Sequence, residues 1–376
     1  MKNTFRRVLA LLFAVAMLIG TIGCSSKAPS ETETPEEPVV SKEVATEPAE
    51  DVHLEIMCWA GSNQEVVPTA VCEAYDEAAD NVTINVTSGQ NATLYPQMVA
   101  ARQNTPESPL FNMAYMNGFS TVQGTTDDLW VAPNLDNIPN VQNILEAYRP
   151  EQGDLGITWA LSPMTIFYNP EKVSTPPTSW ADLWNEEYKG HVAVWDNLFY
   201  SFLVPTARVL GGDENDMDAA FELWAEHTDQ FYSIFTSVDQ LKNLFISEDV
   251  WIAPFFVGMA LSWEEEGIPV KAAVLDEGCV AFPYILQTCA GSSDAQLAEC
   301  EKIINELLDK KNIEEYIVVS PVVPVMDGIE LPDYLKDNYF FSTECTENAM
   351  ILDWNVCAGN DAAWRERWET EIKSQF

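Results

Sequence analysis

PTSWADLWNEEYKGHVAVWD, residues 177–196, decides how the rest of the chain is read. Ser179 is placed to cap a helical turn running from Trp180 to Trp184, Gly190 breaks the chain, and residues 191–196 form a short apolar strand. That strand ends on a carboxylate, Asp196. Functional groups of open α/β sheets gather beyond the carboxyl ends of strands, which makes Asp196 a candidate ligand-binding residue. The alternative role is structural, as the cap of a helix over residues 197–208.

Working outward, the same strand–helix logic recurs. HLEIMCWAG (53–61) reads as a strand, VVPTAVCEAYDEAAD (66–80) as a helix and NVTINVTSG (81–89) as a second strand, a βαβ opening that implies a parallel sheet. Residues 94–102 have helical spacing, and PLFNMAYMNG (109–118) reads as a buried strand. The strand-end rule brings Trp59, Ser62, Asn63, Tyr115 and Asn117 toward one mouth. WALSPMTIFYNPEKV (159–173) is a further strand closing on a turn, and helices follow at 217–228, 238–246 and 295–310. Trp364 and Trp368, four apart, are expected to pin a terminal helix.

The N-terminus is of another kind. MKNTFRRVLALLFAVAMLIGTIGC (1–24) places Lys2, Arg6 and Arg7 ahead of an apolar run too short to span a bilayer, the pattern of a secretory signal. Gly23-Cys24-Ser25 resembles the processing site of bacterial lipoproteins, which implies lipidation of Cys24, although Thr21 stands where that pattern favours Leu. Residues 25–51 carry eight acids, four prolines and few large apolar side chains, the composition of a disordered acidic linker. About 325 residues then remain to fold, more than one core usually serves, so two lobes are expected.

The chain has 59 acidic against 19 basic residues, a formal net charge of −40, which excludes nucleic acid as a partner and assists a cationic solute. Three histidines, none near a cysteine, and no CxxC pair argue against a metal centre. Besides Cys24 there are seven cysteines, of which Cys345 and Cys357 are spaced to bridge. There is no GxSxG, HExxH or P-loop, and the paired acids Asp127-Asp128 and Glu264-Glu265-Glu266 read as solvated faces, so no enzyme and no cofactor are expected.

Four blocks taken in order resemble the bacterial extracytoplasmic solute-binding proteins of ABC importers, nearest the spermidine and putrescine binders: IFYNPEKV, the opening block, GIPVKAAVLDEGCVAFPYILQTCAG with INELLDKKN, and WRERWETEIK. The resemblance implies an α/β, two-lobed type II periplasmic-binding fold with a ligand cleft between the lobes. By similarity lobe 1 takes residues 52–158 plus 252–318 and lobe 2 takes 159–251 plus 319–376. It implies a lipid-anchored, extracytoplasmic monomer that closes on a small polar or cationic solute, polyamine-like, and delivers it to a membrane permease. It further implies Asp196 as the cleft carboxylate, with Trp59 and Trp251 as faces for a cation. Trp159 near the expected hinge, Thr165 beyond it and Tyr284, standing where the family has another acid, complete the expected site. The family's other cleft acids have no counterpart after Trp59 or after Trp251, which leaves open a thiamine-like cation needing one carboxylate, or a ferric ligand held by Tyr115 and Tyr284. A secreted carbohydrate-active enzyme is the alternative from another class.

Overall fold

The computed structural model describes residues 51–376. The expected signal (1–24), lipidated Cys24 and all but the last residue of the expected linker lie outside them. The first half runs β1 (Val52–Trp59), α1 (Val66–Ala78), β2 (Val82–Gly89), α2 (Asn91–Asn104), β3 (Met113–Asn117), α3 (Gly118–Thr126), β4 (Trp130–Val131), β5 (Ile157–Tyr168), β6 (Val192–Trp195) and α4 (Tyr200–Val209). It continues with α5 (Asp218–Glu226), β7 (Phe231–Phe235), α6 (Val238–Ile246), β8 (Ile252–Phe256), α7 (Val257–Glu265), β9 (Lys271–Ala272) and β10 (Val280–Cys289). Then come α8 (Asp294–Leu307), α9 (Lys310–Val319), β11 (Val323–Pro324), α10 (Asp333–Lys336), α11 (Thr343–Asn348) and α12 (Trp354–Arg367).

The strands form one mixed sheet in the order β2-β1-β3-β10-β5-β8-β6-β7. Its ends are parallel: β1 pairs with β2 and β3, and β6 pairs with β7 and β8. Antiparallel β5 and β10 join them. The βαβ reading of the first segment holds, while the joining strands make the whole sheet mixed rather than parallel.

Two bodies of core sit on this path. Along β5, Ile157, Trp159 and Leu161 belong to the first core, whereas Met164, Ile166 and Tyr168 belong to the second. Along β10, Phe282 packs in the second core and Tyr284 and Leu286 in the first. The chain therefore crosses between lobes inside two continuous strands. This moves the expected lobe limits. Ile252, Phe255, Trp263 and Val270 pack with the second lobe, because β8 is bonded to β6, and Val322, Val325 and Leu335 pack with the first. Residues 252–280 thus belong to lobe 2 and residues 319–335 to lobe 1, the reverse of the expectation.

The opening block folds as read, with one change: Trp180–Trp184 is a 3-10 helix, and Ser179 with Asp182 forms a reciprocal capping box. Trp180 is fully buried and its indole N–H donates to the Gly278 carbonyl (3.0 Å), fastening the block to the turn before β10. Trp364 and Trp368 bury in the second core as expected. The seven described cysteines are free. Cys345 does not face Cys357; its sulfur lies 3.5 Å from that of Cys279.

Candidate functional site

The carboxyl ends of five strands open onto one cavity of about 490 Å³. The first lobe supplies Trp59 from the end of β1 and Asn117 from the end of β3; the second supplies Trp195 from β6, Thr236 just past β7 and Phe256 from β8. Phe282 and Tyr284 come from the crossing strand β10, and Asp361 and Arg365 from α12. The walls are largely aromatic. Trp59 meets Tyr284 edge-on at 4.3 Å, Phe256 meets Phe282 at 5.2 Å, and Trp195 lies 4.9 Å from Phe255. Phe119 of α3 stacks on Tyr200 of α4 at 4.9 Å and 12°, packing this lining residue against the second core.

Two polar groups on the first-lobe side, on Trp59 and Asn91, are already engaged. The Trp59 indole donates to Asn91 Oδ1 (2.9 Å), and the Asn91 amide donates to Ser120 Oγ (3.2 Å). The second-lobe side differs: the Trp195 indole nitrogen, the Tyr200 hydroxyl and Asp361 Oδ1 are buried with no hydrogen-bond partner. A buried polar group without a partner costs about 1–3 kcal/mol, so three on the lining of one cavity need a reason. Burial raises the Asp361 carboxyl pKa, and the nearby Arg365 charge partly opposes it. Burial pushes the Tyr284 hydroxyl up to about 12, against a hydrogen bond with Ser162 that lowers it. The Arg365 guanidinium lies 4.6 Å over the Phe199 ring and donates at 3.4 Å to the carbonyls of Asp196 and Asn197.

Of the ten residues expected in the site, Trp59, Asn117 and Tyr284 line this cavity. Ser62 and Asn63 form a left-handed turn (φ 52° and 63°) from which Asn63 reaches the Val319 carbonyl, and the neighbouring Gln64 lines the cavity instead. Tyr115 and Trp159 are buried against each other (6.3 Å) in the first core, with Tyr316 4.9 Å from Trp159. The Thr165 hydroxyl donates to the Ala273 carbonyl inside the second lobe (2.7 Å).

Asp196 requires the main correction. Side chains alternate along a strand, so Trp195 turning into the cavity sends Asp196 the other way. Its carboxylate accepts from the Trp368 indole (2.8 Å) and from Lys373 Nζ (3.0 Å), fastening the end of β6 to the terminal helix. Nor does it cap α4, whose N-cap is Phe199. Trp251 precedes β8 and so sits at the amino end of the strand, away from the mouth. There it stacks on His191 (3.6 Å, 4°) and donates to the Glu248 carbonyl. Asp361, Arg365, Phe256 and Trp195 are the residues sequence reasoning missed. For Trp195 the signal was present, since it adjoins Asp196; for Asp361 and Arg365 nothing local separates a cavity-facing acid and base from those of any surface helix.

The residues of the expected ferric pair, Tyr115 and Tyr284, both pack against Trp59 in the first core, but only Tyr284 lines the cavity, and among the described residues no group of three or more His, Cys, Asp or Glu could hold a metal ion.

Residues 70–341 match the family of bacterial extracellular solute-binding proteins. A spermidine/putrescine-binding periplasmic protein of Haemophilus influenzae is 24% identical over 206 residues, 52% of this chain and 55% of the relative, so the match spans about half the length of that protein. Among solved structures, an ABC transporter protein from Clostridium perfringens superposes with a TM-score of 0.68 at 20% identity, covering 85% of this chain and 99% of that one. A spermidine/putrescine ABC transporter substrate-binding protein from Streptococcus pneumoniae gives 0.67 at 16% identity, with 85% and 99% covered. At these identities the structural likeness speaks for the fold.

Proposed function

The chain belongs to the family of bacterial extracellular solute-binding proteins, and on that premise we propose that it is the capturing receptor of an ABC importer. It holds a small organic solute in the cavity between the lobes and presents the closed form to a membrane permease. The observation that carries this is the cavity itself: five strand ends, the crossing strand β10 and α12 all deliver side chains to one gap between two separately packed cores. Two crossing strands are a natural hinge, and a solute touching both walls favours the closed form by its difference in affinity for the two. The family name supports an extracytoplasmic location, and the sequence of the first 51 residues supports export, lipidation at Cys24 and a tether. We read the receptor as a monomer with no catalytic role.

A second reading, a polyamine ligand, is favoured by the Haemophilus relative. Against it, Asp361 is the one carboxylate on the lining and Arg365 adds a cation, while each ammonium buried without a partner costs several kcal/mol. A thiamine-like cation is better matched by the aromatic walls but meets the same guanidinium.

A thermal-shift screen of amines, amino acids, sugars and organic acids, followed by small-angle scattering with any hit, tests the receptor reading. At 100-fold excess over its dissociation constant a true ligand adds about 2.7 kcal/mol of stability. The expected result is at least one stabilising compound that also lowers the radius of gyration. A compound that stabilises without compaction contradicts closure, and a screen with no hit contradicts the receptor reading.

A further inference from the structure

The lining holds one acid and one base, set four residues apart on the same helix. Asp361 and Arg365 therefore share a face of α12, with Cβ atoms about 5–6 Å apart. They form no salt bridge with each other, and Arg365 forms none with any described acid; its partners are two carbonyls at 3.4 Å and the Phe199 ring. Asp361 keeps one carboxylate oxygen buried and unpartnered. Two opposite charges that close, one without an acid partner and the other with an unpartnered oxygen, are complementary to a ligand carrying both signs. The Tyr200 hydroxyl, on a residue 1% exposed, and the Trp195 indole N–H, on a residue 8% exposed, add one group that can donate or accept and one donor on the same lobe.

The backbone adds a second preference. α2, α4 and α7 all begin at the cavity, through Asn91, Tyr200 and Phe256, and none has a side-chain cap on its first turn. Helix starts carry the positive end of the helix dipole, which favours an acid group in the cavity; at α4 the Ser201 N–H is already given to the Leu198 carbonyl (2.8 Å), so there the dipole acts without that donor. Between these polar points the walls are rings, with Trp59 and Tyr284 on one side and Phe255, Phe256 and Phe282 on the other.

Resting on the receptor reading, we propose that the cavity takes a zwitterionic solute built on a planar ring, with its basic group on Asp361 and its acid group on Arg365. The ring lies between the aromatic walls. Net charge of the ligand is near zero, which separates this class from polyamines and from simple organic acids.

Calorimetry on the full chain tests it with matched probes: phenylalanine, tryptophan and an N-methylpyridinium carboxylate as zwitterions, phenethylamine as the cation alone, 3-phenylpropionate as the anion alone, and spermidine. At least one zwitterion is expected to bind at least tenfold more tightly than either single-charge probe. Asp361→Asn is expected to lose at least tenfold for that zwitterion while changing 3-phenylpropionate binding less than threefold. Arg365→Gln shows the converse, with phenethylamine as the insensitive probe; if its melting temperature falls, Asp361→Asn carries the test alone. Tightest binding by spermidine or by a single-charge probe overturns the zwitterion assignment and leaves the receptor reading standing. No binding by any probe overturns the assignment, and the wider screen above then decides the receptor reading separately.

Discussion

Asp196 shows how a single residue can be placed correctly along the chain and wrongly in space. The sequence put a carboxylate at the end of a strand whose neighbours line the cleft, and that position is right; the two-residue alternation of a strand then sends its side chain to Trp368 and Lys373. Its work is structural, holding the end of β6 against the terminal helix from which Arg365 reaches the cavity. Asp196→Ala leaves the Trp368 indole N–H without its acceptor and Lys373 with Glu369 alone, and is expected to cost about 1–3 kcal/mol of stability. Urea unfolding measures this directly. Ligand affinity should change less than threefold, because Arg365 holds the backbone carbonyl of Asp196 and not its side chain. A tenfold loss of affinity with unchanged stability would restore Asp196 to the site.

At the scale of elements, what was legible and what was not divide along physical lines. Local signals were sufficient for β1, β3, β5 and β6, whose apolar runs end at Gly or Asn-containing turns, and for α6 and α8, which in the structure are capped by Ser237 and Ser293. Lobe membership was not legible, since it depends on which strands pair across long separations: β8 bonds to β5 and β6, carrying 252–280 into the second lobe. The cavity was legible to the extent that strand ends predict it, which gave Trp59, Asn117 and Tyr284. Contributions from α12 depend on how the C-terminal helix lies against α3 and the second core, and no local pattern records that. One packing contact between lobes is exacting: a Cβ at Gly258, in the first turn of α7, would come within 2.3 Å of the Pro321 carbonyl, a backbone atom that cannot move aside alone. Gly258→Ala is therefore expected to destabilise by about 1–3 kcal/mol, the usual range for overpacking. A change below about 0.5 kcal/mol, the usual scatter of surface substitutions, would mean that the α7–Pro321 contact is looser than described.

For the whole molecule, the governing fact is that two cores share two strands and leave a ring-lined gap between them. Asp361 is the sole acid on that lining, so the chain's large negative charge is spent elsewhere, on solvated faces. On the proposal above, this gap, and not the other end of the sheet, receives the solute. That placement is tested most directly by titrating one compound from the screen into three proteins: the unaltered chain, Ala92→Trp, which fills the cleft from the exposed start of α2, and Trp251→Ala, which removes the indole stacked on His191 at the opposite end of β8. Calorimetry is expected to show binding abolished or weakened at least tenfold by Ala92→Trp and kept within threefold by Trp251→Ala. Unaltered binding in Ala92→Trp, together with loss in Trp251→Ala, would put the solute at the wrong end of the sheet and contradict the account.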